Sequence, residues 1–388
     1  MIDESQRPAE RFAQAPRGDR SRPRLVRCLN PFRWLEVNEG GEVTPCCNTW
    51  FRGNLGSLAD QTMEEIWNGS RYRALREAMY EGGDWGRFCN AETCPHIIND
   101  TWVPVDFVTS DIEDIAPITD EMLSAVREGR TELDFGPAQV GLACDPRCNL
   151  KCIMCAAAKN PDRSGGMTRR ALDGLNVFLP TVRRIKMSGD GEVFVIPEMR
   201  DFLFRFNAEK YPQVEFLIHT NGLLLTSEMW DRIPQIRMDW LVVSIDAATR
   251  ETYGRIRVGG DWDTLMRNLG EMSRKVGEGR VHRLMLSMTV MKSNHEEMVE
   301  FAKMGKRLGA HLTYFSPIIG DYAREQIFDH RDIGALLSIR RQMRDPVMND
   351  PMIDPNALLR WKNWRPGWAD FFTRGKYHLR RLKALVSK

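Results

Sequence analysis

From residue 138 onward, apolar runs of strand length alternate with amphipathic runs of helix length. Repeated strand–helix units predict a parallel sheet with helices outside it, either an open doubly wound sheet or a partial barrel. In both arrangements the functional site lies at the carboxyl ends of the strands. The predicted strands are residues 139–143, 184–187, 214–219, 240–245, 283–291 and 311–317, and the predicted helices are residues 168–182, 197–211, 227–234, 262–276 and 295–308.

The chain before this region has a different pattern. Residues 1–24 are polar and rich in arginine, with three prolines, which predicts a disordered basic tail. A hairpin around Gly40-Gly41 and a helix near residues 63–80 predict a compact unit after it. The predicted domains are the basic tail at 1–24, a cysteine-rich domain at 25–100, a connector with one helix at 101–135, an α/β core at 136–320, and a helical extension without strands at 321–388.

The composition is that of a soluble globular protein, with 42% hydrophobic and 28% charged residues among 388. The sequence contains neither a run of about 18 uncharged apolar residues nor the apolar core of a secretory signal near its start. We therefore expect no membrane span and a cytoplasmic location. In a reducing compartment, nine cysteines are better candidates for metal or redox chemistry than for disulfides.

The net charge of +2 conceals a separation of charge, because residues 1–27 carry +3 and residues 360–388 carry +8. A basic tail on an acidic body usually docks on that body or stays solvated, which we favour over binding to nucleic acid or to a membrane surface. Four aromatic residues near helical spacing predict that the last segment covers the barrel: Trp361, Trp364, Trp368 and Phe371.

Three cysteines directly follow the first predicted strand of the core, in the segment Cys148-Asn-Leu-Lys-Cys152-Ile-Met-Cys155. Three thiolates on so short a loop can each bind a different iron of a cubane cluster, which leaves the fourth iron open to a substrate or cofactor. Zinc is the competing interpretation, but structural zinc sites usually take four ligands. Cys144 could supply a fourth ligand, although a buried structural thiol is the interpretation we favour.

These residues resemble the radical SAM superfamily, whose cysteine loop has this spacing and follows the first strand of a (β/α)6 partial barrel. Further family motifs come after the next three strands in the expected order. The resemblance implies that these residues bind S-adenosylmethionine, through a glycine-rich motif for its amine, a Thr-Asn-Gly element, a Ser-Ile-Asp segment and an arginine for its carboxylate: Gly189, Asp190, Gly191, Glu192, Asn221, Ser244, Asp246 and Arg257. The family's usual proline after the glutamate is Val193 in this chain.

The resemblance also implies a reaction. A [4Fe–4S] cluster on Cys148, Cys152 and Cys155 reductively cleaves S-adenosylmethionine, and the resulting 5′-deoxyadenosyl radical abstracts a hydrogen atom from a substrate. In such enzymes the cofactor performs the difficult chemistry, and the protein supplies position and excludes water.

The N-terminal cysteines resemble a SPASM domain, which holds auxiliary clusters in many radical SAM enzymes. The similarity runs from Cys28-Leu-Asn-Pro-Phe-Arg-Trp-Leu to Met63-Glu-Glu-Ile-Trp67-Asn68 and on to the Cys89-x4-Cys94 pair. It implies one auxiliary [4Fe–4S] cluster, and zinc on the same thiols is the alternative: Cys28, Cys46, Cys89 and Cys94. In the family this domain usually follows the barrel instead of preceding it.

Cys47 is left over, because adjacent residues on an extended segment point to opposite sides and a cubane rarely takes both. A free thiol could return a hydrogen atom to a substrate radical, which would make the reaction an epimerisation. Without such a donor, the auxiliary cluster could accept the second electron, which would make it an oxidation. Cys47 could also be a small buried residue without a role in the reaction.

We expect an enzyme that acts on a peptide or a small polar metabolite, by oxidation, epimerisation or cross-linking. An electron donor of the flavodoxin or ferredoxin type is the partner that this chemistry implies. The alternative is a non-catalytic iron–sulfur or zinc protein that serves as a redox sensor or accessory chain.

Overall fold

The computed structural model describes residues 25–98, 100, 102–105, 116–155, 167–188, 191–318, 324–328, 332–355 and 358. The predicted basic tail, Gly189, Asp190 and the aromatic C-terminal segment therefore lie outside the described residues. The chain divides into two compact units. The first extends to Cys144 and includes Arg169–Ile185, and the second comprises Asp145–Thr168 and the chain from Lys186 onward.

The first unit contains the predicted hairpin and pairs it with a strand distant in sequence. Its strands are β1 (Leu25–Val26), β2 (Trp34–Asn38), β3 (Val43–Thr44), β4 (Val103–Pro104) and β5 (Gln139–Ala143). Strands β2 and β3 are antiparallel around Gly40 and Gly41, whose φ angles of 76° and 85° suit glycine. Strand β2 also runs parallel to β5, with Val37 opposite Leu142. The pairing gives Val37, Leu142 and their neighbours a fully buried position.

The helices of the first unit are α1 (Met63–Trp67), α2 (Ser70–Ala78), α3 (Pro95–Ile98), α4 (Asp120–Glu128) and α5 (Thr168–Phe178). The first residue of α5, Thr168, belongs to the second unit. The single helix predicted near residues 63–80 is wrong, because Asn68 and Gly69 interrupt it. The Asn68 side chain instead binds the backbone of Leu133, donating to its oxygen at 2.7 Å and accepting from its nitrogen at 3.0 Å.

Arg76 stabilises the interruption between α1 and α2. Its side chain is fully buried in the core of the first unit. Its guanidinium donates to the backbone oxygens of Trp67, Pro31 and Thr131 at 2.7 to 2.9 Å. It also stacks on the Trp67 ring, with 4.4 Å from the guanidinium carbon to the ring centroid. Burial lowers the pKa of Arg76 to about 10, so it remains charged at neutral pH.

The second unit contains a row of parallel strands, in the order β7–β8–β9–β10–β11. They are β7 (Glu215–Thr220), β8 (Met238–Ser244), β9 (Val281–Val290), β10 (Leu312–Pro317) and β11 (Ile353–Asp354), while β6 (Arg184–Met187) spans the boundary between the units. The helices are α6 (Pro197–Arg205), α7 (Ser227–Arg232), α8 (Arg250–Ile256), α9 (Trp262–Gly277), α10 (Met298–Arg307) and α11 (Ile333–Gln342).

Strands and helices alternate from β5 to β10, which confirms the predicted α/β class and its six strand–helix repeats. The expectation of no strand after residue 319 is wrong, because β11 extends the row by pairing with Thr313 and Tyr314. Two residues are too few to produce a recognisable pattern of strand residues. Among the described residues, no helix is long and apolar enough to cross a membrane.

Replacing Arg76 with methionine should destabilise the first unit strongly. The substitution removes charge-assisted hydrogen bonds and leaves three buried carbonyl oxygens without a donor, so we expect a loss of about 3 kcal/mol or more in the free energy of unfolding. Arg73→Met on the same helix is the control, because Arg73 forms an exposed ion pair with Glu132 and should cost under about 1 kcal/mol. Denaturant unfolding measures both variants, and equal losses would contradict the assigned role of Arg76.

Candidate functional site

The three-cysteine loop follows β5 and is fastened to the segment at the end of α8. Lys151 donates its backbone N–H to the oxygen of Val258 at 2.9 Å, and Ile153 donates to the oxygen of Ile256 at 3.1 Å. Two backbone hydrogen bonds two residues apart fix the loop in one register, as between paired strands. The loop therefore holds its thiols without being a regular strand or helix itself.

Hydrogen-bond donors approach two of the three sulfurs. The Cys148 sulfur lies 3.4 Å from the backbone nitrogen of Leu150 and 3.9 Å from Nδ2 of Asn221. The Cys152 sulfur lies 3.7 Å from Nη1 of Arg257. Donors of this kind stabilise a thiolate more than a neutral thiol, so the surroundings suit sulfur that binds a metal.

The electrostatics of the free thiols oppose ionisation. Burial raises the pKa of Cys148 to about 11, and the neighbouring Cys152 and Cys155 contribute in the same direction. Burial also raises the pKa of Cys152, although the charge of Arg257 acts against it. Three thiols that interact electrostatically, two of them approached by donors, fit an iron–sulfur cluster, because the metal replaces the protons that burial otherwise retains.

The glycine-rich motif packs directly against the chain that leads into the cysteine loop. A Cβ atom at Gly191 would lie 2.3 Å from the oxygen of Asp145 and 2.6 Å from that of Arg147, so only glycine fits. The next residue, Glu192, donates its backbone N–H to the Arg147 oxygen at 2.9 Å. This contact explains the motif's last glycine by close packing, whereas Gly189 and Asp190 lie outside the described residues.

Glu192 connects this motif to the Thr-Asn-Gly element after β7. Its buried carboxylate accepts from the Thr220 hydroxyl and from the Asn221 backbone, both at 2.7 Å. Burial raises the pKa of Glu192, while these hydrogen bonds oppose the rise. Asn221 in turn donates to Oδ1 of Asn149 at 2.8 Å, inside the cysteine loop. The Glu192 carboxylate thus joins the glycine-rich motif to the Thr-Asn-Gly element, and the Asn221 amide joins that element to the cysteine loop.

Arg257 lies between the third predicted cofactor segment and the cysteine loop. Its Nη2 is 2.5 Å from Oδ2 of Asp246, a buried residue with a positive φ of 62°. Burial opposes the charge of Arg257, but Asp246 and Cys152 raise its pKa above the usual range. Asp246 also accepts from the backbone of Thr289 at 2.7 Å. Ser244 accepts a 3.3 Å hydrogen bond from the Ser287 hydroxyl on the neighbouring strand.

The sequence did not identify the polar network at the base of the loop. Arg147 donates to Asp145 at 2.6 Å and to Glu198 at 2.7 Å, and the Thr168 hydroxyl donates to Asp145 at 2.6 Å. Burial alone would raise the pKa of Asp145, but these donors hold it below its usual value. The Asp-Pro-Arg segment immediately before Cys148 is the sequence feature that could have predicted this network. Its partners Thr168 and Glu198 are distant in sequence.

The first unit contains a separate cavity lined by thiols. Its lining includes the four predicted auxiliary ligands together with Arg27, namely Cys28, Cys46, Cys89 and Cys94. An antiparallel bridge between Phe51 and Cys89 brings the second cysteine pair beside the segment of Cys46. The backbone nitrogen of Asn30 approaches the Cys28 sulfur at 3.4 Å.

Burial raises the pKa of Cys46 well above its usual value, and the other cysteines of the module raise it further. The same effect raises the pKa of Cys89 to about 12. Four thiols that line one cavity are a donor set that fits a [4Fe–4S] cluster or a zinc ion. Cys47 is not among the residues that line the cavity, and its sulfur lies 3.1 Å from the Thr49 hydroxyl. Cys144 is buried at the end of β5.

Comparisons with known proteins bear on both cysteine groups. The profile of the radical SAM superfamily matches residues 145–305, and that of the SPASM iron–sulfur cluster-binding domain matches residues 28–95. The first implies a [4Fe–4S] cluster and S-adenosylmethionine, and the second implies auxiliary iron–sulfur clusters, which confirms the cofactors predicted from the sequence.

Several curated relatives share part of the chain. A tungsten-containing aldehyde ferredoxin oxidoreductase cofactor-modifying protein of Pyrococcus furiosus is 26% identical over 47% of this chain and 53% of its own. The mycofactocin maturase MftC of Mycobacterium tuberculosis is 26% identical over 42% of this chain and 41% of its own. The chain thus spans about half the length of the curated relatives it matches.

A crystal structure of Streptococcus suis SuiB bound to S-adenosylmethionine covers 59% of this chain and 55% of its own, at 15% identity and a TM-score of 0.42. That score is too low to support any argument about function. The two domain matches fall on the two groups of cysteines that the structure gathers separately. The chain therefore contains a radical SAM domain at residues 145–305 and, before it in sequence, a SPASM iron–sulfur cluster-binding domain at residues 28–95.

Proposed function

We propose that this protein reductively cleaves S-adenosylmethionine and abstracts a hydrogen atom from a peptide or a small polar metabolite, assisted by an auxiliary [4Fe–4S] cluster. The observation that carries the proposal is the contact of Asn221 and Arg257 with the sulfurs of Cys148 and Cys152. Side chains from the residue after β7 and from the end of α8 converge on the loop that would hold the cluster.

Cys148, Cys152 and Cys155 would hold the catalytic cluster, which supplies the electron for cleavage. The residues around them would bind the methionyl end of S-adenosylmethionine. The Gly189–Glu192 segment receives the amine, while Ser244 and Arg257 receive the carboxylate. Asp246 keeps Arg257 charged and oriented, and Glu192 fixes Asn221 against the loop. Buried, hydrogen-bonded groups of this kind are already oriented before the cofactor binds.

The substrate would enter the open side of the strand row in the second unit. On β9 the side chains of Leu284, Leu286 and Met288 are fully buried, whereas Ser287 and Thr289 on the other face are partly exposed. Ser287 is opposite Tyr314 in register. The hydroxyl groups of Ser287 and Thr289 would hydrogen-bond a polar substrate, beside the partly exposed Met285 on the same face. A donor of the flavodoxin or ferredoxin type would supply the electron.

Cys28, Cys46, Cys89 and Cys94 would hold the auxiliary cluster. Four protein ligands leave no iron open for a substrate, which favours a role in electron transfer. The outcome of hydrogen abstraction then depends on whether the substrate radical is oxidised or receives a hydrogen atom. Cys47 is the thiol available for the second route because it does not line the cavity of the auxiliary cysteines.

Changing Cys148, Cys152 and Cys155 together to alanine should remove about half of the iron from the reconstituted protein, because one of two clusters loses its ligands. Cleavage of S-adenosylmethionine should disappear completely. Iron analysis and chromatography of 5′-deoxyadenosine under reducing conditions measure the two effects. Cys144→Ala, a buried thiol at the end of the preceding strand, is the control and should retain both. Cleavage by the triple variant would contradict the proposal.

Cys46→Ala and Cys47→Ala form a matched pair at the auxiliary site. We expect Cys46→Ala to lose the auxiliary iron, because its buried sulfur is surrounded by the other three thiols. Cys47→Ala should keep that iron, since its side chain does not line the cavity. Iron content measured in the background of the triple variant compares them directly. Loss of iron in Cys47→Ala with retention in Cys46→Ala would reverse the ligand assignment.

Turnover in deuterated water tests the proposed hydrogen donor. If Cys47 donates a hydrogen atom to the substrate radical, the product keeps the substrate's number of hydrogens, and one of them comes from the solvent as deuterium. The product of Cys47→Ser should lack this deuterium, because an alcohol O–H bond is a much poorer hydrogen-atom donor than a thiol. A product that is two hydrogens lighter, formed at full rate by Cys47→Ala, eliminates this role. Mass spectrometry of the product distinguishes the two results.

A further inference from the structure

Arg27 is enclosed beside the thiol cavity of the first unit. Only 6% of its surface is exposed. Its guanidinium carbon lies 4.7 Å from the Trp85 ring centroid and 4.2 Å from that of Trp102. Two aromatic contacts hold the planar cation in a fixed orientation. Arg27 itself is one of the residues that line the cavity with the cysteines.

The backbone that carries the cysteines also builds this enclosure. Arg27 directly precedes Cys28, at the end of β1. Strand β1 pairs antiparallel with β4 with Val26 opposite Val103, so Arg27 lies opposite Trp102. Trp85 begins the short 3-10 helix that leads to Cys89. The position of the cation is therefore set by the same segments that set the positions of the thiols.

The charge of Arg27 is only weakly compensated by the described residues. Its Nη2 forms a 3.1 Å ion pair with Asp100, but the Asp100 side chain is 70% exposed, so solvent screens the pair. Its buried Nε has no hydrogen-bond partner among the described residues. A buried donor without an acceptor is costly, and because Arg27 lines the thiol cavity, an anionic group in that cavity would satisfy it. Burial raises the pKa values of Cys89 and Cys94, and the charge of Arg27 acts against that rise.

We infer that Arg27 donates through Nε to a sulfur of the auxiliary cluster and stabilises the cluster's reduced form. The inference rests on the proposed function, because it requires the auxiliary cluster to be present. One-electron reduction adds a negative charge to a cluster that four thiolates already make anionic. A fixed cation and a hydrogen bond to sulfur favour that added electron and raise the reduction potential. Arg27 is thus a positioning residue that makes the auxiliary cluster a better electron acceptor.

Variants of the full chain that lack Cys148, Cys152 and Cys155 isolate the auxiliary cluster. Arg27→Gln in this background should lower the ratio of reduced to oxidised cluster about tenfold at a fixed applied potential, a downward shift of about 59 mV for one electron. EPR of samples poised at set potentials measures the ratio. Arg52→Gln is the matched control, since Arg52 also acts on Cys89 but is exposed, and it should shift the ratio by less than twofold.

A second measurement covers the case in which Arg27→Gln does not retain its cluster. The auxiliary cluster with Arg27 intact, in the variant that lacks Cys148, Cys152 and Cys155 and is labelled with 15N-arginine, should show a nitrogen hyperfine coupling in pulsed EPR. Arg27→Lys should lose the coupling, and Arg52→Gln should keep it. Absence of the coupling, or an intact Arg27→Gln cluster with the wild-type potential, overturns the inference and leaves the proposed function standing. Failure of the wild-type cysteines to hold any auxiliary cluster overturns the proposed function and the inference together.

Discussion

Burial of thiols is the constraint on which both centres depend. Desolvation raises the pKa of Cys148 to about 11 and that of Cys89 to about 12, so each site disfavours the thiolate that a metal requires. The protein offsets this cost at Cys148 with two donors, a backbone nitrogen and Asn221, and at Cys89 with the positive charge of Arg27. Iron that binds the cysteines replaces the thiol protons and removes the rest of this cost. The ordering of the cysteine-bearing loops is therefore coupled to the binding of the clusters.

The two units satisfy this constraint over different distances in sequence. In the second, three thiols lie within eight residues, and Asn221 after β7 and Arg257 at the end of α8 approach them, while Glu192 holds Asn221. In the first, the cysteines span residues 28–94, and the hairpin and the bridge at Cys89 bring them together. The cysteine loop of the second unit depends on contacts with two later segments, whereas the auxiliary site depends on the fold of a whole module.

The sequence predicted the features whose signal is local. Strand β5, with the sequence Gln-Val-Gly-Leu-Ala, was predicted with its observed ends, and the cysteine loop is defined by spacing alone. Features fixed by distant partners were not predictable. The break at Asn68 depends on Leu133, the parallel pairing of β2 with β5 has no local pattern, and β11 is only two residues long. The enclosure of Arg27 requires two tryptophans far away in sequence.

This chain should hold two iron–sulfur clusters on separate sets of cysteines, with S-adenosylmethionine bound at one of them. Diffraction from anaerobically reconstituted crystals soaked with S-adenosylmethionine, recorded at the iron absorption edge, would locate both clusters and the cofactor. We expect two anomalous iron peaks, one at Cys148, Cys152 and Cys155 with the cofactor's methionyl end beside it, and one within the cavity that Arg27 lines. A single peak, or cofactor bound away from the three-cysteine loop, would contradict the account.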